Sequence, residues 1–571
     1  MIEKEEVLLK DNNQWLHFAK PYRVISTNNI EEVRGLLREV EKLVNTNRWH
    51  AAGFISYEAA PAFDSALHVL NAGAFPLLWF GVYPEPRPVE LPLPEKSDGE
   101  LKWNATMKWE SYNTAIDKIK EHIARGRTYQ VNYTMRLNSS FDGSEWDFFL
   151  NLAQTQNKYA AYLNTGQYAI CSVSPELFFR LDGETITSQP MKGTVKRGRT
   201  LAEDEQQSAW LQNSPKNRAE NVMIVDMIRS DFGRVAEIGT VNVSKLFTLE
   251  KYPTLFQMTS TVEAKTNASL ADIFTALFPC GSVTGTPKVS TMNIISELET
   301  TPRRIYTGAI GYISPDRKAQ FNVAIRTALI DKESKSIEYG VGGGVVWDSI
   351  DTDEYSEAML KAQVLTKRPR EFSLLETILW TPQEGYFLFE KHIGRMAESA
   401  EYFDFVFSME KVEANLKRLA GEFKSAQRVR MTSNRFGELA VDTTPFQSRE
   451  TSFKVTLAEQ PIDSNDIFLF HKTTQRESYD KALIAPQIYN DVLLYNERDE
   501  LTEFTIGNLV VELNGELVTS PVSCGLLAGV FRAHLLETNQ IKERVIKKIE
   551  LKNCKKVFLV NSVRKWVDVI I

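Results

Sequence analysis

The stretch "TSQPMKGTVKRG", Thr187 to Gly198, sets Lys192 between a proline-bearing turn and a Gly-Thr pair, with Lys196 and Arg197 close behind. Such a lysine is either a solvated surface charge or, when held in a pocket, an amine nucleophile. In "DEYSEAMLKAQVL", Glu354, Glu357 and Lys361 fall at i, i+3 and i+7 and share one helical face. Alone, that face reads as a solvated ion pair. Upstream, "YGVGGGVVWDSIDTD" carries Gly340, Gly342, Gly343 and Gly344, read as a loop whose N–H groups approach an anion closely. An acidic helix beside an anion site is self-repelling unless a cation mediates. Mg²⁺ held by one or two carboxylates and the substrate's own oxygens resolves the conflict. Glu220, near the start of the helix "KNRAENVMIVDMIRSDFGRVAE", offers the matching carboxylate. The loop "CGSVTGTPK", which contains Thr286, is rich in small donors, and Arg326 stands late in the apolar strand "FNVAIRTALI". A cation there calls for an anionic partner. Together these residues describe a pocket for a small dicarboxylate and a magnesium ion.

A second set lies further on. "DIFLFHKTTQ" places Lys472 at the end of an apolar strand, and "ELTEFTIGNLVVELNGELVTSP" places Glu503 before a hairpin. "SCGLLAGVFRAHLLE" puts Gly525 and Gly529 ahead of a helix, a natural phosphate cradle. A lysine to bond an aldehyde, an acid for a pyridinium nitrogen and a phosphate-binding helix start are the parts that pyridoxal phosphate requires.

The elements that must hold these residues mix strands and helices, so the expected class is α+β. The pattern "QYAICSVSPELFFRLDGETITS" alternates around an Asp182-Gly183 turn, and "LVVELNGELVTSP" turns at Asn514-Gly515. Five prolines in Tyr83–Glu100 predict an extended connection with no regular element. The basic stretch Leu365–Phe372 marks the main boundary. The expected divisions are 1–104, 105–366 and 372–571. Hydrophobic residues at 43% and charged residues at 25% are those of a soluble globular protein, and a net charge of −7 gives no footprint for nucleic acid. No signal peptide or membrane span is visible, and four scattered cysteines form neither a disulfide framework nor a metal motif. A cytoplasmic enzyme is expected.

Successive motifs carry a resemblance. "GRTYQVNYTMRL", "SPELFF", "QPMKGTVKRG", "RAENVMIVDMIRSDFGRV", "FPCGSVTGTPK", "YTGAIGYI", "AIRTALI" and "GVGGGVVWDSIDTDEYSEAMLKA" resemble, in order, those of the chorismate-utilising enzymes, over roughly residues 105–366. The resemblance implies antiparallel sheets with flanking helices and chorismate as substrate. Anthranilate synthases usually carry alanine at the position of Lys192, whereas aminodeoxychorismate synthases carry lysine. By that likeness Lys192 attacks C2 of chorismate and expels the C4 hydroxyl, so that ammonia enters at C4. Glu176 is implied as general acid–base group, Glu220 and Glu357 as Mg²⁺ ligands, and Arg326 with Gly342–Gly344 as carboxylate binders. Thr286 and Tyr306 fall in the matching substrate-binding motifs. Lys196 is the neighbouring cation expected to lower the Lys192 pKa. Gln130 stands where water-using relatives carry a lysine, which favours ammonia, and Gln257 replaces a histidine found in many relatives. No cysteine sits in a glutaminase-like turn, so ammonia is expected from a separate glutamine amidotransferase subunit.

Residues 372–571 resemble the fold-type IV pyridoxal-phosphate enzymes, which implies a domain of two subdomains. "EKHIGRMAESAEYF" makes Arg395 a phosphate ligand by that resemblance. Lys472 is then the cofactor-bonding lysine and proton shuttle, and Glu503 the partner of the pyridine nitrogen. Asn508 supports the site, and the amides of Gly529 and Val530 bind phosphate. Homodimerisation through this half is implied by analogy alone. Lyase and aminotransferase are not separated by these motifs. The neighbouring synthase-like half points to the lyase that releases pyruvate and 4-aminobenzoate. The rival reading is an anthranilate synthase component fused to an aminotransferase.

Overall fold

Strands such as Leu78–Tyr83 and Tyr168–Ser174 are buried at every position, which requires a sheet covered on both faces. The computed structural model describes all residues except 1–2, 13, 93, 95–100, 155–157, 363–370, 448–451 and 484–487. The expected boundary stretch Leu365–Phe372 therefore lies mostly outside the described residues. The chain divides into two units, one of Met1–Lys196 with Ala209–Pro369, the other of Arg197–Ser208 with Arg370–Ile571.

In the first unit the described strands form two antiparallel sheets of ten strands each. An apolar layer that includes Leu9, Phe54, Ile170 and Ile310 draws on strands of both sheets. Helices Val33–Asn47, Pro215–Gly233 and Leu270–Leu277 pack on one sheet, and Trp109–Ala124 and Glu145–Ala153 on the other. The residues before the proline-rich stretch are not a separate body. Val7–Asp11 pairs with Tyr159–Asn164, and His50–Ile55 with Ala309–Ser314, so the early strands extend one end of each sheet. The proline-rich stretch also holds a short edge strand, Arg87–Val89, against the expectation of none. Pro88 is tolerated because an edge strand leaves one row of N–H positions unpaired.

The chain passes between these sheets several times, and two of the crossovers position the site. Tyr168–Ser174 leads to Leu177–Asp182 in the other sheet, and Lys318–Val323 leads back to Thr327–Asp331. The crossovers lie side by side, since the Val323 N–H donates to Glu176 O and the Val173 N–H to Arg326 O. Glu176 and Arg326 are their turning residues.

The second unit has a four-stranded and an eight-stranded sheet. Helix Phe389–Phe403 buries Ile393, Met396 and Ala400 with Ile378, Val429 and Met431 of the smaller sheet. In the larger, Asn508–Leu513 and Glu516–Thr519 form the expected hairpin, with Asn514 and Gly515 at φ of 52° and 82° as a turn of this kind demands. No helix among the described residues is long and apolar enough to cross a membrane.

Candidate active sites

Lys192 is in the edge strand Met191–Lys196, not in a turn. Its pairing with Leu255–Lys265 slips between Met191 and Thr194, a bulge that frees Lys192 from regular alternation. Gly193, with φ of 91°, allows that distortion. Helix Pro215–Gly233 packs on the same strand, and Asn221 Nδ2 donates to Lys192 O at 3.4 Å. Burial, and then the charge of Lys361, push the Lys192 pKa down, while Glu220, Glu176 and Glu357 oppose the shift. The expected cation Lys196 is exposed and takes no part, because its place on the strand turns it to solvent.

Glu176 is buried, and the Ser282 hydroxyl donates to its Oε1 at 2.5 Å. Burial pushes its carboxyl up to about 7 against that hydrogen bond, the charge of Lys192 and the Met191 N–H. Arg326 does not lie within a strand as expected. It occupies the crossover at φ of 50°, an uncommon conformation for a bulky residue. Among the described residues its guanidinium makes no ion pair or side-chain hydrogen bond. Its nearest ring, that of Tyr252, is 5.9 Å away. A shielded cation without a partner is a site for an anion.

The glycines form a strand, Ser336–Val345, where a loop was expected. None of Gly340, Gly342, Gly343 or Gly344 has positive φ, so they serve close approach and not a turn. A side chain at Gly340 would run into the Tyr306 ring, and one at Gly342 into Tyr133 O. A Cβ on Gly344 would collide with Gln130 Nε2 and stand 3.1 Å from Lys192 Nζ. Gln130, Lys192 and Gly344 therefore converge. Thr286 pairs opposite Gln130, and Tyr306 is buried under the Arg136 guanidinium at 5.1 Å. Among the described residues Gln130 Nε2 and Gln257 Oε1 are buried with no hydrogen-bond partner, and buried amides are rarely left so without a ligand.

Helix Asp351–Ala362 presents Glu354, Glu357 and Lys361 toward Gly343 and Lys192, as the spacing predicts. Lys361 Nζ donates to Gly342 O at 2.9 Å and pairs with Glu357 at 3.0 Å. That charge holds Glu357 below the usual carboxylate range, while burial raises Glu354, which accepts from Ser349 at 2.6 Å. Among the described residues no group of three or more His, Cys, Asp or Glu is placed to hold a metal ion. Glu220 and Glu357 both act on Lys192, however, and two carboxylates with substrate oxygens are a donor set that suits Mg²⁺. Sequence reasoning missed the part of Lys361 as modulator of Lys192 and that of Ser282. The small-donor loop was the one signal for the latter.

In the second unit Lys472 is not on a strand. It follows the single turn Ile467–Leu469, whose cap Asp466 accepts the Phe468 N–H at 3.0 Å and so ends any strand there. Its carbonyl accepts from Leu375 N at 2.9 Å. Burial, then Arg395, bring Lys472 down to about 8. Glu503 is buried and raised to about 7, with Tyr479 Oη at 2.7 Å and the Leu527 N–H at 3.0 Å on Oε1 and Asn508 Nδ2 at 3.0 Å on Oε2. Asn508 also donates to Leu527 O at 2.8 Å, tying the acid to the loop before helix Val530–Glu537. Gly529 caps that helix, and a side chain there would strike Asn508 Oδ1. Arg395 grips Glu376 through Nε at 2.8 Å and Nη2 at 2.7 Å and reaches Ala528 O at 3.1 Å. Burial would raise Glu376, but Arg395 and His392 hold it down to about 2. The set fits a phosphorylated pyridine aldehyde: amine, ring acid, cation and helix start are all in place. Glu376 and Tyr479 were missed. A carboxylate in the apolar run "LLETILW" was the signal for the first.

Residues 4–367 match the family described as chorismate binding enzyme. The chain belongs to that family. Residues 373–570 of this chorismate-binding enzyme match amino-transferase class IV. Aminodeoxychorismate synthase component 1 of Escherichia coli strain K12 is 39% identical over 269 residues, 47% of this chain and 59% of that protein. The Bacillus subtilis strain 168 protein of the same name is 38% identical over 271 residues, 47% and 57% of the two chains. Anthranilate synthase component 1 of Aquifex aeolicus is 36% identical over 276 residues, 48% and 56%. The chain thus spans under two thirds of the length of these curated relatives. The solved anthranilate synthase component I from Streptococcus pneumoniae has a TM-score of 0.53 at 23% identity, covering 64% of this chain and 93% of that one, which shows the fold.

Proposed function

We propose that the chain makes 4-aminobenzoate from chorismate in two steps, an amination at C4 in the first unit and a pyruvate elimination in the second. The observation that carries the reading is the half-buried Lys192 with its amine at the bare face of Gly344, among Glu176, Glu220 and Glu357. Lys192, kept in part neutral by burial and Lys361, forms a bond to C2 of chorismate as the C4–O bond breaks. Glu176, raised to about 7, gives the leaving hydroxide its proton, and water departs. Ammonia then bonds to C4 while the C2–Lys192 bond breaks, leaving 4-amino-4-deoxychorismate. Arg326 would hold a substrate carboxylate, and Glu220 and Glu357 would hold Mg²⁺, which supplies positive charge for the other carboxylate. The similarity to aminodeoxychorismate synthase components supports this chemistry.

Ammonia comes to the site from outside this chain, on our reading from a glutamine amidotransferase subunit. Burial pushes the Cys280 and Cys524 thiols up to about 12, which makes them poor nucleophiles, and Cys554 is also raised.

In the second unit pyridoxal phosphate, when bound, supplies an electron sink for the elimination. Arg395 and the amides of Gly529 and Val530 would hold its phosphate, and Glu503 would keep the ring nitrogen charged. Lys472, near 8, is poised to take a proton from one carbon and return it elsewhere.

The deciding experiment incubates the purified chain with chorismate, Mg²⁺, pyridoxal phosphate and an ammonium salt, with products resolved by chromatography. The expected products are 4-aminobenzoate and pyruvate. Accumulated 4-amino-4-deoxychorismate would remove the lyase assignment. Anthranilate as main product would overturn the reading of Lys192.

A further inference from the structure

Arg197–Ser208 belongs to the second unit, although it lies inside the stretch matched to chorismate binding enzymes. It starts directly after the strand Met191–Lys196. Arg197 sets its guanidinium 4.3 Å from the centroid of the Tyr402 ring and donates to Tyr402 O at 2.7 Å. Its Nε meets Asp204 at 2.6 Å in an almost fully buried ion pair. Tyr402 returns a hydrogen bond from its hydroxyl to Gly198 O at 2.6 Å. His471 packs its ring against Tyr402 at 4.3 Å, and its Nε2 lies 3.1 Å from Arg199 O. Arg199 in turn places its guanidinium 4.9 Å from the Phe470 ring.

Phe470 and His471 are the two residues before Lys472. The Arg199 carbonyl can only accept, so His471 Nε2 carries the ring proton and Nδ1 takes the Ser399 hydroxyl at 3.0 Å. Both ring nitrogens are thereby used with the imidazole neutral. Burial keeps it neutral by holding its pKa at about 4. Tyr402 and His471 are both buried, and each takes one of its polar contacts from this segment. Side chains satisfied in this way resist rotation, and the peptide that follows His471 inherits that rigidity.

We infer that Arg197–Arg199 is a positioning element of the Lys472 site, fixing the backbone of Phe470 and His471 and with it the direction in which the lysine is presented. The inference rests on the reading of Lys472 as the cofactor-bonding lysine. On that footing the second active site is not complete in residues 372–571 but draws three residues from far upstream.

The test uses the full chain freed of cofactor and titrated with pyridoxal phosphate, following the absorbance of the lysine-bound form and the pH midpoint of that band. His471→Ala and Tyr402→Phe are each expected to weaken cofactor binding by about tenfold and to displace the midpoint, as loss of one buried hydrogen bond would. His471→Gln, whose amide can still donate to Arg199 O, is expected to restore most of both. Should His471→Ala fail to fold, Tyr402→Phe, which deletes one hydroxyl, carries the test. Unchanged affinity and midpoint in a folded His471→Ala or Tyr402→Phe protein would overturn the inference. A lysine-bound band that survives Lys472→Ala instead sinks the assignment of the lysine itself.

Discussion

Lys361 is the cation that lowers the basicity of Lys192. It is anchored on Gly342 O at 2.9 Å and on Glu357 at 3.0 Å, and its charge adds to burial in favouring the neutral amine. Lys361→Gln is therefore expected to raise the Lys192 pKa. The acid limb of the pH profile for amination, measured at constant free ammonia, should move to higher pH. Turnover should fall at pH 7, and the deficit relative to the parent should shrink as pH rises. An unmoved acid limb would mean that Lys361 serves only to hold Glu357.

The second unit depends on a buried carboxylate. Glu376 is held at about 2 by Arg395 and His392, below the ordinary 4.5. A depressed carboxylate stabilises the fold above its unfolded pKa, and that stability is lost as pH falls from about 4.5 toward 2. Glu376→Gln removes the charge at every pH and leaves Arg395 without its bidentate partner. Breaking a buried pair from one side costs roughly 3–5 kcal/mol. Thermal unfolding at pH 7 should show the loss in the second unit, and pyridoxal phosphate should bind more weakly. Equal unfolding midpoints for variant and parent would show that the pair contributes little.

Much of this arrangement was legible in the sequence, and the exceptions have physical causes. The face of Glu354, Glu357 and Lys361 follows from helical period alone and one hairpin from its Asn514-Gly515 turn, while the other turns one residue later than expected, at Gly183-Glu184, because Asp182 still pairs with Thr185. Arg326 was placed in a strand because a sheet crossover leaves no period to read, and the bulge at Lys192 gave no signal for the same reason. The glycine run looked like a loop because glycine signals both turns and close approach, and only the neighbours Tyr306, Gln130 and Lys192 decide between them. The tie between Arg199 and His471 joins residues 272 positions apart, beyond the reach of any local pattern.

Glu58 offers a stability measurement away from both sites. It is buried, its Oε1 accepts the Arg303 N–H at 2.7 Å, and its Oε2 has no partner among the described residues. Burial raises its carboxyl from 4.5 to about 7. The folded state therefore holds the proton more tightly, and this contribution to stability is lost as pH rises through about 7. Glu58→Gln imitates the protonated group. The variant should match the parent near pH 4 and exceed it at pH 8, by at most roughly 3 kcal/mol. Thermal unfolding at both values checks this. The same difference at each pH would assign the effect to packing and not to ionisation.

The last prediction concerns the other limb of the amination profile. On the proposed mechanism Glu176 is the acid, so its protonated form is the working one, and its carboxyl at about 7 would set where activity declines on the alkaline side. The Ser282 hydroxyl, donating at 2.5 Å, favours the ionised form. Ser282→Ala should therefore raise the carboxyl further and move the alkaline limb upward, leaving the acid limb in place. Glu176→Gln should lower turnover by roughly 10²–10⁴-fold at all pH values, the usual contribution of a positioned acid. The limbs are properties of the coupled Glu176–Lys192 pair, so it is the pattern of the two variants that assigns them. If Ser282→Ala moves the acid limb and Lys361→Gln the alkaline one, the roles of acid and nucleophile must be exchanged between the two protonation states.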